Sequence, residues 1–289
     1  MKKTFIVAEL SANHNNDLET TLSTLKAIKD SGADAVKLQT FFPHLMVPKL
    51  YTDEYKIKEG LWKDMYQYDL YEKINLPIEW HKIIFEKSKE LGIECFSSPF
   101  DLKSVDILEN LNNPYYKVAS SEINHIPLLI KIAKTKKPVI LSTGVASIED
   151  ISLAIKTLND NGCDDITVLK CTASYPTPLE DSNLKAMVTI KDRFQIKVGL
   201  SDHTKGFIAP VVAVALGASF IEKHFILDKT FETPDRDFSL DPTEFKTMVD
   251  AIRDAEKSLG RSEIVISKKM EKARAHMRSI YVTNKVKKG

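Results

Sequence analysis

Val198-Gly-Leu-Ser-Asp-His-Thr204 and, one short helical stretch later, Phe220-Ile-Glu-Lys-His-Phe225 are two apolar runs that each stop at a histidine. Read as buried strands, they bring His203 and His224 out where the strands end. Parallel barrels carry their reactive groups at such C-terminal strand ends. If the two strands are neighbours, their ends lie about 5 Å apart, and two imidazoles that close can hold a borderline divalent ion such as Mn²⁺ or Zn²⁺. The plainer reading is that each histidine caps its strand and bonds to backbone. A pair on adjoining strands favours the metal.

Outward from this pair the same unit recurs: an apolar strand, a polar turn, a helix with 3.6-residue periodicity, a stop. Strands are expected at Thr4–Ala8, Ala35–Thr40, Ile93–Ser97, Tyr115–Ala119, Val139–Ser142, Ile166–Leu169, Ile196–Leu200 and Ser219–Ile221. Helices are expected from Asp17 through Ile28, and at Ile78–Leu91, Leu102–Leu111, Ile126–Ala133, Ile148–Leu158, Asn183–Lys191, Phe207–Leu216 and Pro242–Leu259. Eight such units over 289 residues point to an α/β fold, a (β/α)₈ TIM barrel with a C-terminal extension. A doubly wound open sheet competes, because alternation alone does not close a barrel; the chain has no GxGxxG turn to support it. The barrel is assigned to residues 1–262 and the extension to 263–289.

Two segments break the rhythm. Phe41 to Pro77 is too long for a simple connection and carries Tyr51, Tyr55, Trp62, Tyr66, Tyr68 and Tyr71, with a helix expected around Lys63–Glu72. Long loops on this face are usually functional, although aromatics also pack on barrel rims. The second is Ile226 to Leu240, a polar loop holding Glu232-Thr-Pro-Asp-Arg-Asp-Phe-Ser239. Beyond Gly260 the chain turns basic, then β-like over Ser279–Thr283, which suggests the first strand of a further, truncated domain.

Composition sets limits. The 41 basic and 40 acidic residues leave a net charge of +1, so no field of one sign gathers nucleic acid or an anionic membrane. Any anion must be caught locally. Cys95, Cys163 and Cys171 are odd in number and form no CxxC, which fits a reducing cytoplasm. Met1 to Ala8 starts like a secretory leader, but its apolar run ends at Glu9 and no small-residue cleavage site follows.

The expected strand ends are polar: Glu9 with Asn13 and His14; Lys37 and Gln39; Ser97 and Ser98; Lys117 with Ser120, Ser121 and Glu122; Ser142 and Thr143; Lys170, Thr172 and Tyr175; Ser201, Asp202 and His203; Glu222 and His224. Lys37 and Gln39, two apart, share one face of their strand. Buried lysines need an anion or carboxylate nearby. Lys117, Ser98, Ser120, Ser142 and Ser201 together offer a charge and several hydroxyl donors, which suits a phosphate. Serines also end strands simply to satisfy loose backbone groups, and Asn13-His14 reads equally as a turn.

Ala8-Glu-Leu-Ser-Ala-Asn-His14, Val36-Lys-Leu-Gln-Thr40, Cys95-Phe-Ser-Ser-Pro-Phe100, Tyr116-Lys-Val-Ala-Ser120, Leu141-Ser-Thr-Gly144, Cys171-Thr-Ala-Ser-Tyr-Pro-Thr177, Gly199-Leu-Ser-Asp-His203 and Glu222-Lys-His-Phe225 resemble the sialic acid synthase family in order and spacing. Glu59-Gly-Leu-Trp62, Tyr68-Asp-Leu-Tyr71, Glu79-Trp-His81 and Phe238-Ser-Leu240 resemble its pseudaminic acid synthase branch. The resemblance implies a metal-dependent condensation of phosphoenolpyruvate with an N-acylated hexose to a nine-carbon 2-keto acid. It implies a divalent cofactor, commonly Mn²⁺, with Mg²⁺ or Co²⁺ as alternatives, held by His203 and His224. By position, Lys117, Ser120, Ser142 and Ser201, with Ser98, would grip phosphoenolpyruvate. Glu9, Lys37, Gln39, Tyr175 and Asp235 would meet the sugar and the reacting carbons. Ala173 stands where the neuraminate branch has an asparagine near the carboxylate of phosphoenolpyruvate. The family's C-terminal antifreeze-like domain, which lends an arginine to the partner's site in a homodimer, would begin within residues 263–289. Competing readings are a legionaminate or N-acetylneuraminate synthase, a Schiff-base aldolase using Lys37, Lys117 or Lys170, and a non-catalytic barrel.

Overall fold

The computed structural model describes residues 3–289. Eight strands, β1 (Phe5–Glu9), β2 (Ala35–Thr40), β3 (Glu94–Pro99), β4 (Tyr116–Val118), β5 (Val139–Ser142), β6 (Ile166–Cys171), β7 (Lys197–Asp202) and β8 (Phe220–His224), follow one another around a closed barrel. Every pairing is parallel, and β8 closes onto β1 with His224 opposite Glu9. Closure rules out the open sheet. Helices at Leu18–Asp30, Ile78–Leu91, Leu102–Asn110, Ile126–Ala133, Ile148–Asp160, Lys185–Phe194, Ile208–Ala215 and Pro242–Leu259 follow the strands in turn. Several start on side-chain caps: Asp17 accepts from Thr20 N, while Ser147 with Asp150 and Asp241 with Glu244 form reciprocal capping boxes. No helix among the described residues is long and apolar enough to cross a membrane.

Successive side chains on a strand face opposite sides of the sheet, and here the two sides have different jobs. Outward residues such as Ile6, Ala8, Val36, Leu38, Leu141, Val168 and Ile221 pack with the helices in one large apolar shell. Inward residues Val7, Ala35, Phe96, Ile140, Leu169 and Phe220, with Phe5 and Tyr115 against them, form a separate apolar plug in the barrel. Two residues farther along the same strands, the inward positions become Glu9, Lys37, Ser98, Lys117, Ser142, Cys171 and Glu222. The plug is therefore the floor under a polar chamber.

Two expectations need correction. The helix near Lys63–Glu72 runs from Gln67 to Ile74. Asp64 takes a left-handed φ of 71°, and Lys56 pairs antiparallel with Tyr66, so the chain closes a small loop before the helix can begin. The β-like Ser279–Thr283 forms no strand. Its residues Ile280, Tyr281 and Val282 are exposed, and an extended segment without an edge to pair with has nothing to hold it as a strand. The extension also contains a short helix, Lys268–Arg274, capped by Ser267.

Gly199, two residues before Ser201 on β7, sits where the plug is tightest. A Cβ there would lie 2.3 Å from the Phe220 carbonyl oxygen and 2.7 Å from Leu169 Cδ2. The close approach of β7 to β8, which brings His203 and His224 together, thus requires a residue without a side chain. Gly199→Ala is expected to lower stability by about 2–3 kcal/mol, the upper range for overpacking a core. Urea unfolding checks this; an unchanged midpoint would mean that the β7–β8 contact yields easily.

Candidate active site

A cavity of about 280 Å³ opens at the C-terminal end of the strands. Its wall contains all twelve residues singled out from the sequence: Glu9, Lys37, Gln39, Ser98, Lys117, Ser120, Ser142, Tyr175, Ser201, His203, His224 and Asp235. Among the three lysines weighed as amine nucleophiles, Lys170 is not on this wall. It is an outward residue of β6 whose Nζ donates to Cys171 O and Thr172 Oγ1.

Charges crowd the floor. Lys37 Nζ lies 2.6 Å from Glu9 Oε2 and 3.5 Å from Glu222 Oε1, and donates to Ser98 Oγ at 3.3 Å. Lys117 Nζ lies 3.3 Å from the same Glu222 Oε1, which also accepts from Ser201 Oγ at 3.4 Å. Gln39 Nε2 donates to Glu9 Oε1 and to Ser11 Oγ, each at 3.0 Å. Burial opposes charge on every one of these groups, and pairing opposes burial. For Lys37 the two carboxylates win, and its pKa is raised. For Lys117 burial wins, and its pKa is lowered despite Glu222. Glu222 itself is pulled below the ordinary carboxylate range by Lys117 and Lys37, against its burial.

Glu222, named from the sequence only as a polar strand end, is the main residue to which sequence reasoning gave no role. It stands two before His224 on β8, so the period of the strand already placed it on the same inward face. Cys171 reaches the wall by the same rule, and Ser11 reaches it from the turn after β1.

Donor capacity remains on this floor. An ammonium group has three donors, and Lys117 directs one hydrogen bond, to Glu222. Ser142 Oγ is buried and has no hydrogen-bond partner among the described residues. Ser120 Oγ instead accepts from Gly144 N at 2.9 Å.

The two imidazoles meet on one side of the mouth, their ring centroids 5.3 Å apart. His203 Nδ1 is 3.1 Å from the carbonyl oxygen of Thr172, which can only accept, so Nδ1 carries the proton and Nε2 presents its lone pair. His224 Nδ1 is buried, 3.4 Å from Asp235 Oδ2, and makes no hydrogen bond among the described residues. Phe238 packs edge-on against both rings. Burial lowers the pKa of His203, which favours the neutral, ligating form. Asp235 is held below its ordinary value: contacts with His224, Ser11 and Ala12 outweigh its burial. Two imidazoles with a carboxylate behind one of them fit a divalent ion in donor type. No cluster of three or more His, Cys, Asp or Glu ligands occurs among the described residues.

The loop bearing Asp235 is tied down by Asn13. Its Nδ2 donates to Phe225 O at 2.9 Å and to Ser239 Oγ at 2.8 Å, and its Oδ1 accepts from Thr233 Oγ1 at 2.5 Å. The backbone around it forms the expected turn, Ser11–His14, but the side chain acts as a clasp. His14 does not reach the cavity; its Nε2 meets Ile74 O. From the aromatic loop, Trp62 and Tyr71 reach the wall, while Tyr51 packs against Tyr66 away from it.

Known proteins share this architecture and its sequence. The chain is 48% identical over 288 residues to a pseudaminic acid synthase of Campylobacter jejuni, covering all of this chain and 84% of that one. It is 41% identical over 293 residues to an N,N'-diacetyllegionaminic acid synthase of the same species, covering 100% of this chain and 87% of the other. Among solved structures, the N-acetylneuraminic acid synthetase of Leptospira borgpetersenii superposes with a TM-score of 0.85 at 28% identity, over 95% of this chain and 91% of that one. The NeuB family pattern matches residues 24–264, from within the first helix to just past the helix Pro242–Leu259, and the chain belongs to the NeuB family.

Proposed function

We propose that the chain is a nonulosonic acid synthase, condensing phosphoenolpyruvate with a 2,4-diacetamido-2,4,6-trideoxy hexose and releasing phosphate, as a pseudaminic acid synthase does. The observation that carries this reading is the juxtaposition, in one cavity, of a lysine-and-hydroxyl floor with a pair of imidazoles at its mouth. The higher identity to a pseudaminic than to a legionaminic acid synthase supports the choice of sugar.

On this reading Lys117, with its spare donors, and the unpaired Ser142 hydroxyl take the phosphate, with Ser98, Ser120 and Ser201 around it. Lys37 is more fully engaged, by Glu9, Glu222 and Ser98, and sets the position of both carboxylates. Fixing the phosphate holds C3 of phosphoenolpyruvate against the sugar aldehyde in a near-attack pose. His203 and His224 would hold a divalent ion, Mn²⁺ by family resemblance. When bound, it supplies Lewis-acid polarisation of the aldehyde. C3 of phosphoenolpyruvate bonds to the aldehyde carbon, water adds at C2, and the C2–O bond to phosphate breaks. Glu9 is held on both oxygens, by Gln39 and Lys37, which suits a group that orients the sugar alongside Gln39 and Tyr175. Asp235, kept ionised beside His224, is placed to take the proton of the attacking water. Lys37, its pKa raised by Glu222 and Glu9, is committed as a cation, which disfavours a Schiff base there, since that route needs a neutral amine.

Phosphate release from phosphoenolpyruvate, assayed with the diacetamido sugar and with other N-acyl hexoses, with and without Mn²⁺, tests the assignment. His203→Ala and His224→Ala are each expected to weaken Mn²⁺ binding by more than about 100-fold, beyond the usual loss from outer-shell changes, and to abolish turnover. Calorimetric titration with Mn²⁺ reads the first effect directly; full activity in the double variant would end the metal assignment.

Lys117 also sets a pH dependence. A lysine is cationic below its pKa, so phosphate affinity is complete at lower pH and is lost as pH rises through a value depressed below 10.5. The kcat/KM for phosphoenolpyruvate should therefore fall on the alkaline side before an ordinary lysine titrates. Lys117→Arg, whose guanidinium stays charged, should flatten that limb even if it lowers the rate; a limb that persists would assign it to another group.

A further inference from the structure

Within residues 58–64 only Trp62 turns inward; its neighbours on both sides are exposed. The segment is closed at its base by hydrogen bonds from Ile57 N to Met65 O and from Asp64 N to Ile57 O, and by the Lys56–Asp64 ion pair. This loop therefore holds Trp62 over the cavity as a fixed feature of the wall. The indole packs on Tyr175 at 6.0 Å between ring centroids, and Tyr175 packs on His203 at 4.4 Å. Indole Nε1 is enclosed, yet has no hydrogen-bond partner among the described residues. A buried indole N–H usually has an acceptor, and one left without it is costly. The wall of the same cavity also carries apolar side chains, Leu70, Ile74, Phe100 and Val145.

An unpartnered N–H donor on a wall that also carries apolar side chains matches an acetamido group, whose carbonyl oxygen accepts and whose methyl prefers an apolar surface. Its place along the sugar follows from the aromatic stack. If the aldehyde carbon lies at the two imidazoles, Trp62 stands one ring farther away, beyond Tyr175, and so faces a substituent well along the chain rather than the one at C2. Resting on the function proposed above, we propose that Trp62 is a specificity residue of the sugar subsite, donating its Nε1–H to the carbonyl of the C4 acetamido group and thereby discriminating against a 4-hydroxyl sugar.

The test uses the full chain and two sugars that differ only at C4, acetamido against hydroxyl. Trp62→Phe keeps a ring and removes the donor. It is expected to raise KM for the diacetamido sugar about 10-fold, the effect of one lost hydrogen bond in an enclosed site. KM for phosphoenolpyruvate should stay unchanged, and the preference over the 4-hydroxyl sugar should shrink by the same factor. Equal losses for both sugars, or none for either, would overturn the proposal while leaving the proposed function intact. A wild-type chain that ignores the diacetamido sugar and turns over the 4-hydroxyl one would overturn both. A second readout does not depend on activity. The chain has two tryptophans, Trp62 and Trp80, so in Trp80→Phe the emission of Trp62 alone should shift on adding the diacetamido sugar but not the 4-hydroxyl sugar. No shift with either, or the same shift with both, would also overturn the assignment.

Discussion

The site rests on one carboxylate held between two ammonium groups. Glu222, Lys37 and Lys117 come from β8, β2 and β4, and none is more than 4% exposed. Moving such ions out of water costs several kcal/mol each, recovered only when opposite charges and hydrogen bonds surround them. Removing Glu222 would leave two buried lysines facing each other, each disfavouring charge on the other. With Glu9 as the second carboxylate, the four formal charges cancel. A net charge of only +1 sets up no long-range field, and the unused donors on Lys117 and Ser142 act only at short range.

Much of this was legible from periodicity, and the errors at the strand ends share one physical cause. The helices at Ile78–Leu91, Ile126–Ala133 and Pro242–Leu259 match their expected limits, because their buried faces repeat cleanly. The strands were cut short where they matter most. β6 was expected to stop at Leu169 and runs to Cys171; β7 to stop at Leu200 and runs to Asp202; β8 to stop at Ile221 and runs to His224. A polar residue reads as the end of a strand, yet in a barrel the upper inward layer is polar while the backbone ladder continues. The polar layer that lines the cavity therefore lies inside the strands, one period above the apolar plug. Seen as in-strand neighbours, Glu222 and His224 belong together, and the same step leads from Gly199 to Ser201 to His203.

What periodicity could not supply is the pairing of groups far apart in the chain. The partners of Glu222 lie on strands whose proximity depends on closure. Asn13 is similar: its spacing suggests a turn, and the turn forms, but its value lies in bonds to Phe225, Thr233 and Ser239 across more than 200 residues. Those bonds fix the polar loop after β8 against the end of β1, and Ala12 N donates to Asp235 Oδ2 at 3.3 Å in the same knot. Asp235 is in a loop by sequence but has the constraint of a strand residue.

A second buried pair does for His203 what Asn13 does for Asp235. Lys223 alternates with Glu222 and His224, so it points out of the barrel, and it is completely buried. Its Nζ meets Asp202 Oδ2 at 2.6 Å and the carbonyl of Thr204, while Asp202 accepts from Thr204 N and Thr204 Oγ1. The residues on either side of His203 are thus fastened from behind by a lysine on the adjoining strand. On its inner side, His203 is fixed by Thr172 O, and its own carbonyl accepts from Thr177 N. An imidazole restrained from both sides loses little freedom on taking up an ion. The separation of the two rings is therefore set by the β7–β8 register and by Gly199 beneath it, which makes the apolar plug as much a part of the site as the residues that line the cavity.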